Sequence, residues 1–228
     1  MQVKVVIPAS GSGTRLGGNI PKQFQLLGGI PILNRTVSAF QRSSIVTEIA
    51  IAVPQGFLHI HQDMLDSGFD KVKYVIEGGD TRATSVYAAL KCLTPGGIVL
   101  IHDGARPLVS METIEAVTVA AEKHGAAIAC TAVTDTLKEA TPNGKIIATP
   151  ERSRIWRAQT PQGFTYDLIK QAYEQGEHVF DTVTDDCMLV ERMGIPVYVV
   201  PTVASNIKIT TPEDLIIAEA FLKGNIVK

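Results

Sequence analysis

Short, almost wholly apolar runs alternate with amphipathic stretches through the first half of the chain, and this alternation constrains the fold more than any other feature. Residues 98–101 are apolar at every position, as in a strand that helices cover on both faces. Strands alternating with helices indicate a Rossmann-like three-layer α/β/α sandwich with a mostly parallel sheet. Predicted strands lie near residues 2–7, 47–53, 72–76, 98–102 and 126–131, with helices near 31–42, 56–66, 81–93 and 111–123.

Length, charge and cysteine usage narrow the class of protein. The 228 residues, 45% of them hydrophobic, suffice for a single domain over 1–228. A net charge of −2 creates no field that attracts nucleic acid or an anionic membrane, and no apolar stretch has the length of a membrane span. The three cysteines form no Cys-x-x-Cys pair, which is typical of reduced core residues. We therefore expect a cytoplasmic protein with small-molecule partners, binding neither nucleic acid nor membrane.

A glycine-rich loop at residues 8–17 follows the first predicted strand, and Lys22 comes shortly after it. Gly11 and Gly13 let backbone N–H groups approach a polyanion, while Arg15 and Lys22 add positive charge, so the loop indicates a phosphate site. The absence of a Lys-Ser or Lys-Thr pair argues against a Walker A loop. The glycine spacing is one residue too long for a dinucleotide fingerprint, and the second strand ends without an acid.

Asp103 directly follows a predicted strand, where ligands bind in parallel sheets. An acid beside a polyphosphate usually indicates Mg²⁺, which takes one or two protein carboxylates and completes its shell with phosphate oxygens and water. The alternative is a structural aspartate that caps a turn and pairs with Arg106. The residues leave both interpretations open.

Two further polar positions each have a structural and a functional interpretation. Residues 78–85 form a polar turn before a helix, so Asp80 is either the helix cap or part of a base pocket. Lys208 stands between two isoleucines, where an unpaired lysine is costly. Lys208 either extends to solvent or joins the cations around a phosphate group.

The alternation of strands and helices breaks near residue 133. Residues 134–155 indicate two short strands joined at Pro142-Asn143-Gly144, because Asn-Gly favours a hairpin turn. This protruding hairpin is either a solvated loop or an arm that pairs with another subunit. The remaining predicted elements are helices near 165–175 and 184–193, a strand at 196–200 and a last helix capped by Thr211.

Six short motifs lie in register along nearly the whole chain. They occupy residues 8–15, 21–24, 78–82, 102–107, 160–162 and 206–210. Their order and spacing resemble the 2-C-methyl-D-erythritol 4-phosphate cytidylyltransferase family. Each motif alone would be weak, because glycine-rich loops with a following Arg and Lys occur across sugar nucleotidyltransferases. Six motifs in register make chance agreement implausible.

The resemblance implies cytidylyl transfer from CTP to 2-C-methyl-D-erythritol 4-phosphate, with in-line attack on the α-phosphorus and release of pyrophosphate. The product is 4-diphosphocytidyl-2-C-methyl-D-erythritol, an intermediate of non-mevalonate isoprenoid synthesis. By the same resemblance Arg15, Lys22 and Lys208 are catalytic cations, and Asp103 binds Mg²⁺. The implied nucleotide-binding residues are Ala9, Ser10, Gly11, Gly13, Gly79, Asp80, Ser85 and Asp103.

The resemblance also implies that two subunits share the sugar-phosphate site, and hence a homodimer joined through residues 134–155. One subunit supplies Arg106, Thr184 and Lys208. The other supplies Thr136 and Arg152 from its arm.

Departures from the family pattern leave alternatives. Ser10 stands where alanine is usual, and residues 201–205 lack a glycine often found before the last motif. Ribitol-5-phosphate cytidylyltransferase shares the fold and the CTP loops, although residues 102–106 and 135–138 look more like the methylerythritol enzyme. A non-catalytic nucleotide-binding protein of the same fold is the alternative from a different functional class.

Overall fold

The computed structural model describes residues 2–11 and 20–224. Its strands are β1 (Val3–Pro8), β2 (Leu26–Leu27), β3 (Ile30–Pro31), β4 (Val46–Val53), β5 (Val72–Glu77), β6 (Ile98–Ile101), β7 (Ala126–Ala132), β8 (Glu139–Ala140), β9 (Ile146–Ala148), β10 (Trp156–Thr165) and β11 (Tyr198–Pro201). Its α-helices are α1 (Ile32–Arg42), α2 (Ile60–Asp66), α3 (Arg82–Leu90), α4 (Met111–His124), α5 (Tyr166–Gln175), α6 (Cys187–Arg192) and α7 (Pro212–Lys223). Within the described ranges, no helix is long and apolar enough to cross a membrane.

Seven of the described strands form one twisted sheet in the order β11-β7-β10-β6-β1-β4-β5. β1 pairs in parallel with β4 and β6, and the remaining neighbours are also parallel except around β10. β10 runs antiparallel between β6 and β7. The predicted mostly parallel sheet is therefore confirmed, and β10 is an addition that the sequence did not reveal.

Helices cover both faces of the sheet because successive residues of each strand point to opposite sides. Val5 of β1 belongs to a buried cluster with α1, α2 and α4, whereas the next residue, Val6, belongs to a second cluster with α3, α5 and α6. The three-layer arrangement follows from this alternation. A smaller cluster packs Ile209 against α7, together with Leu27 of β2 and Ile32 of α1.

Local signals explain where several helices begin and end. The Ser110 hydroxyl accepts a hydrogen bond from Thr113 N–H at the start of α4, and Gly125 ends that helix with φ of 87°. At α7, Thr211 is the cap of a capping box, as predicted. The predicted helix over 56–66 is wrong at its start, because Gly56 adopts φ of 84° and α2 begins only at Ile60.

The predicted hairpin is confirmed as β8 and β9, which pair antiparallel outside the main sheet. Its turn contains Gly144 with φ of 84°, a left-handed conformation that suits glycine. Nearly all of residues 134–149 are exposed. Pairing of this hairpin with another subunit stays a prediction, as does a single domain over 1–228.

Candidate functional site

A cleft of about 520 Å³ opens at the carboxyl edge of the sheet. The segments that follow β1, β5 and β6 meet there, as expected for a ligand site in a parallel sheet. Its lining residues are Pro8, Ala9, Ser10, Gly11, Lys22, Gln23, Gly79, Asp80, Thr81, Arg82, Asp103, Gly104, Ala105, Lys208 and Thr210. The structure therefore brings most of the predicted nucleotide-binding residues together with Lys22 and Lys208.

Two hydroxyl groups meet where the first loop contacts the turn after β5. Ser10 Oγ lies 2.7 Å from Ser85 Oγ, and Ser85 Oγ donates to the Thr81 carbonyl at 2.8 Å. Gly78 passes so close that an added Cβ would collide with Ser10 and lie 2.7 Å from Ser85 Oγ. The Ser10 and Ser85 side chains leave no room for a Cβ atom at residue 78, so this position requires glycine.

Asp80 is not the cap of α3, so that interpretation is wrong. The cap is Thr81, whose hydroxyl accepts from Thr84 N–H while the Thr84 hydroxyl accepts from Thr81 N–H at 2.9 Å. A threonine at this position makes the reciprocal capping box and leaves Asp80 outside it. Asp80 is exposed on the wall of the cleft, which keeps the base-pocket role as its predicted function.

Asp103 forms ion pairs with three cations. Arg82 Nε lies 3.1 Å from Oδ1, while Lys208 Nζ at 3.0 Å and Arg106 Nε at 3.4 Å lie near Oδ2. Burial by itself favours the neutral acid, but the three cations outweigh it and hold the pKa of Asp103 well below its ordinary value. Asp103 is therefore ionised at neutral pH and pairs with Arg106, while still lining the cleft.

Arg82 lies in the motif at residues 78–82, and the sequence alone indicates no function for it. Its guanidinium also forms a bidentate pair with Asp186, at 2.9 and 2.8 Å. Asp186 is fully buried and accepts from the Tyr173 hydroxyl at 2.5 Å. The Gln162 side-chain oxygen accepts from the Asp186 backbone N–H at 3.0 Å. No local pattern links Arg82 to an aspartate 104 residues away, so sequence reasoning could not find this pair.

Lys22 and Gln23 line the cleft and belong to the segment that follows the glycine-rich loop. Lys22 Nζ donates to the Ile209 carbonyl at 3.1 Å. The Gln23 side chain is 2% exposed and donates to the Ala9 carbonyl at 2.5 Å. Gln23 thus fixes this segment to the end of β1, a function that only the structure reveals.

His102 lies beneath the turn that carries Asp103 and Arg106. It is fully buried, and burial lowers its pKa to about 4, against the opposing attraction of Asp103. The hydrogen bond to the Arg106 carbonyl also opposes the effect of burial on this pKa, whereas the positive charges of Arg106 and Arg82 act in the same direction as burial. His102 is therefore neutral at physiological pH and does not add to the cations of the cleft.

Among the described residues, Thr136, Arg152 and Thr184 do not line the cleft. Ser85 and Arg106 are also absent from its lining, but they contact the lining residues Ser10 and Asp103. Arg152 donates to the Thr134 carbonyl at 2.6 Å on the exposed hairpin, where Thr136 is also exposed. The Thr184 hydroxyl donates to the Met188 sulfur at 3.0 Å. Gly13 and Arg15 lie outside the described residues.

The donor set of the cleft fits Mg²⁺ held mainly by a substrate. Within residues 2–11 and 20–224, no cluster of three or more His, Cys, Asp or Glu side chains could hold a metal ion by itself. Asp103 offers one ionised carboxylate at the wall of the cleft. Mg²⁺ commonly uses one or two carboxylates together with phosphate oxygens and water.

Comparison with known proteins points to one family. The family model described as 2-C-methyl-D-erythritol 4-phosphate cytidylyltransferase matches residues 3–224. A protein of that name from Syntrophus aciditrophicus is 43% identical over 225 residues, covering 97% of this chain and 96% of the relative. Another from Geobacter metallireducens is 41% identical over 232 residues, covering 99% of this chain and 100% of the relative.

Solved structures give the same result. A 4-diphosphocytidyl-2C-methyl-D-erythritol synthase from Anaerococcus prevotii superposes with a TM-score of 0.85 at 34% identity, covering 97% of this chain and 98% of that chain. A 2-C-methyl-D-erythritol 4-phosphate cytidylyltransferase from Thermus thermophilus superposes with a TM-score of 0.79 at 33% identity, covering 98% and 100%. Both similarities extend over essentially the whole chain.

Proposed function

Because this chain belongs to the 2-C-methyl-D-erythritol 4-phosphate cytidylyltransferase family, we propose that it transfers the cytidylyl group of CTP to 2-C-methyl-D-erythritol 4-phosphate. A phosphate oxygen of the sugar alcohol attacks the α-phosphorus in line. The bond from the α-phosphorus to the bridging oxygen of the β-phosphate breaks, and pyrophosphate leaves with its electron pair. The observation that carries this proposal is the meeting of Lys22, Asp103 and Lys208 in one cleft at the carboxyl edge of the sheet.

The cations of the cleft supply what this reaction needs. Nucleotidyl transfer depends on positioning and on stabilisation of charge at the phosphates, and the attacking phosphate is already anionic. Lys22 and Lys208 stabilise the negative charge of the α-phosphate and the leaving pyrophosphate. Arg15 has the same role in this proposal, on the strength of the motif alone.

The nucleotide occupies the part of the cleft between the first loop and the turn after β5. Ser10 and Ser85 meet there, and Gly79 and Asp80 lie on the wall. A cleft of about 520 Å³ suits a ligand of nucleotide size. We assign the cytosine to these residues and to Ala9, and the triphosphate to the side of Gly11 and Lys22.

In this proposal Asp103 would hold Mg²⁺, an ion that commonly takes one or two protein carboxylates together with phosphate oxygens and water. When bound, the ion neutralises charge on the phosphates. The three cations around Asp103 keep the carboxylate ionised and fix its orientation before substrate arrives. Removal of Mg²⁺ with a chelator is expected to abolish pyrophosphate release, and excess Mg²⁺ to restore it.

The sugar phosphate binds between two subunits of a homodimer. Arg106, Thr184 and Lys208 meet it from one subunit, with Thr136 of the partner subunit and Arg152 of the partner subunit completing the site. Exposed apolar side chains on and beside the hairpin support a role in association: Leu137, Ile146, Ile147 and Trp156.

The free cysteines agree with our placement of the enzyme in the cytoplasm.

Pyrophosphate release, measured with CTP and each of two sugar-alcohol phosphates, tests the proposed activity. We expect release with 2-C-methyl-D-erythritol 4-phosphate and little with ribitol 5-phosphate. The opposite preference would favour the ribitol enzyme. Binding of CTP without turnover of either substrate would identify a non-catalytic nucleotide-binding protein.

A further inference from the structure

A closed ring of hydrogen bonds lies beneath the turn from Asp103 to Arg106. His102 Nδ1 lies 3.0 Å from Thr160 Oγ1, and His102 Nε2 lies 3.0 Å from the Arg106 carbonyl. Arg106 Nη1 donates to the Asn206 carbonyl at 2.9 Å, and Asn206 Nδ2 donates to the Thr160 carbonyl at 2.7 Å. We call these four residues the polar ring.

The partners determine where each proton lies. The Arg106 carbonyl can only accept, so His102 Nε2 carries the hydrogen. Nδ1 of the neutral ring is then an acceptor, and the Thr160 hydroxyl donates to it. Thr160 Oγ1 in turn accepts from the Asp103 backbone N–H at 3.0 Å. A hydrogen on Nδ1 instead would leave the buried Thr160 hydroxyl proton without this acceptor.

The polar ring holds both ends of the turn. Thr160 fixes the backbone N–H of Asp103, and His102 fixes the carbonyl of Arg106. His102, Thr160 and Asn206 are all buried, at 0%, 3% and 0% exposure, so water does not replace these bonds. Lys208 lies two residues after Asn206 in the sequence, and its Nζ forms an ion pair with Asp103.

We propose that His102 and Thr160 are positioning residues, which hold Asp103 and Arg106 in the geometry that the transfer reaction requires. This proposal rests on the proposed function for the roles of Asp103 and Arg106, and it assigns no contact with substrate to His102 or Thr160. The need for accuracy is physical, since a shift of about 1 Å in a positioned group can lower a rate by roughly 100-fold. The base pocket around Ser85 lies outside the polar ring, so the ring acts on turnover more than on CTP binding.

Substitution of Thr160 separates positioning from packing. Thr160→Val keeps the shape but removes the hydroxyl, and should lower kcat by about 10- to 100-fold with little change in the KM for CTP. Thr160→Ser restores the hydroxyl and should recover most of the turnover. The matched control is Thr118→Val, since Thr118 is a buried threonine of α4 that donates to the Ile114 carbonyl at 2.8 Å, remote from the cleft. Rates are measured below the melting temperature of each variant.

A Thr160→Val enzyme that is less stable but has wild-type kcat would overturn the proposal. So would a Thr160→Ser enzyme as impaired as Thr160→Val.

The tautomer of His102 gives a test that does not depend on activity. Nitrogen-15 spectra of the imidazoles are recorded at neutral pH, and His102 is assigned as the ring whose shifts move in Thr160→Val. We expect a neutral ring with its hydrogen on Nε2. A hydrogen on Nδ1, or rapid averaging of both tautomers, would contradict the polar ring. If the wild-type protein released no pyrophosphate, the proposed function would fail while this measurement still decided the geometry of the ring.

Discussion

Arg82 and Asp186 form a bidentate ion pair beneath the cleft, with Nη1–Oδ1 at 2.9 Å and Nη2–Oδ2 at 2.8 Å. The third nitrogen of the guanidinium, Nε, faces Asp103 at 3.1 Å. Burial alone would lower the pKa of Arg82, but the two carboxylates outweigh it and raise the pKa well above its ordinary value. The buried Asp186 thus orients the Arg82 guanidinium, and Arg82 in turn orients the Asp103 carboxylate in the cleft.

Asp186→Asn should destabilise the protein by about 3–5 kcal/mol, because it leaves a largely buried guanidinium without one of its charged partners. Urea denaturation measures the change in the free energy of unfolding. Asp181→Asn is the control, since Asp181 is exposed and its substitution should change stability by less than about 0.5 kcal/mol. Equal stability of the two variants would show that the buried pair contributes little.

His102 should make stability fall as the pH is lowered from about 6.5 to 4. Its folded pKa of about 4 lies below the ordinary value of 6.5, so the unfolded chain binds the additional proton within this window. A shift of this size corresponds to roughly 3 kcal/mol, lost by pH 4 and fully present above pH 6.5. The groups that set this pKa besides burial are Asp103, Arg106 and Arg82.

The difference in unfolding free energy between wild type and His102→Asn, measured across this pH range, isolates the contribution of His102 from that of the acids that titrate there. Titration of the His102 imidazole in the wild-type protein measures the same pKa if the variant does not fold. A midpoint near 6.5 would contradict the prediction.

Gly78→Ala should cost about 1–3 kcal/mol in stability and raise the KM for CTP, because the added methyl group would displace Ser10 and Ser85. Denaturation and steady-state kinetics measure the two effects. Gly11→Ala is the stability control, since its added Cβ would meet no described atom within 4 Å. If both variants were equally stable, the turn after β5 would have more freedom than the structure shows.

The sequence predicted the parallel part of the fold well because its buried strands are short and mostly apolar. It did not reveal β10, whose residues 156–165 mix charged, polar, proline and glycine residues. Gly163 explains part of this composition: an added Cβ would lie 2.9 Å from Val117, so α4 can pack closely on β10 only over a glycine. Tertiary packing determines which residues are suitable in β10, and such packing leaves no periodic pattern in the sequence.

The site was predictable where function depends on residues directly after strands, as at Asp103 and the turn after β5. It was not predictable where partners are distant in sequence, as for Asp186, or where the role is to hold a backbone group, as for Thr160 and Gln23. The sequence left Asp80 open between a helix cap and a base pocket because aspartate is common at caps, but Thr81 and Thr84 together form the capping box of α3.

Lys22→Ala should lower turnover by about 100- to 1,000-fold, because it removes a positioned cation at the phosphates. The change in stability should be small, since Lys22 is only partly buried and lies outside the apolar core. Pyrophosphate release and thermal denaturation measure the two quantities. Lys73→Ala, which alters an exposed lysine on β5, is the control for loss of a positive charge. Normal turnover in Lys22→Ala would show that the charge of Lys22 does not assist the transfer.

Ile147→Lys should shift the protein from dimer to monomer, because Ile147 is 59% exposed on the hairpin and a buried charge in an interface is costly. Sedimentation velocity measures the oligomeric state. Turnover should fall with the dimer fraction, since Thr136 of the partner subunit and Arg152 of the partner subunit complete the sugar-phosphate site. Ile216→Lys is the matched control, because Ile216 is 69% exposed on α7, away from the hairpin. A monomeric Ile147→Lys enzyme with full activity would show that each subunit carries a complete site.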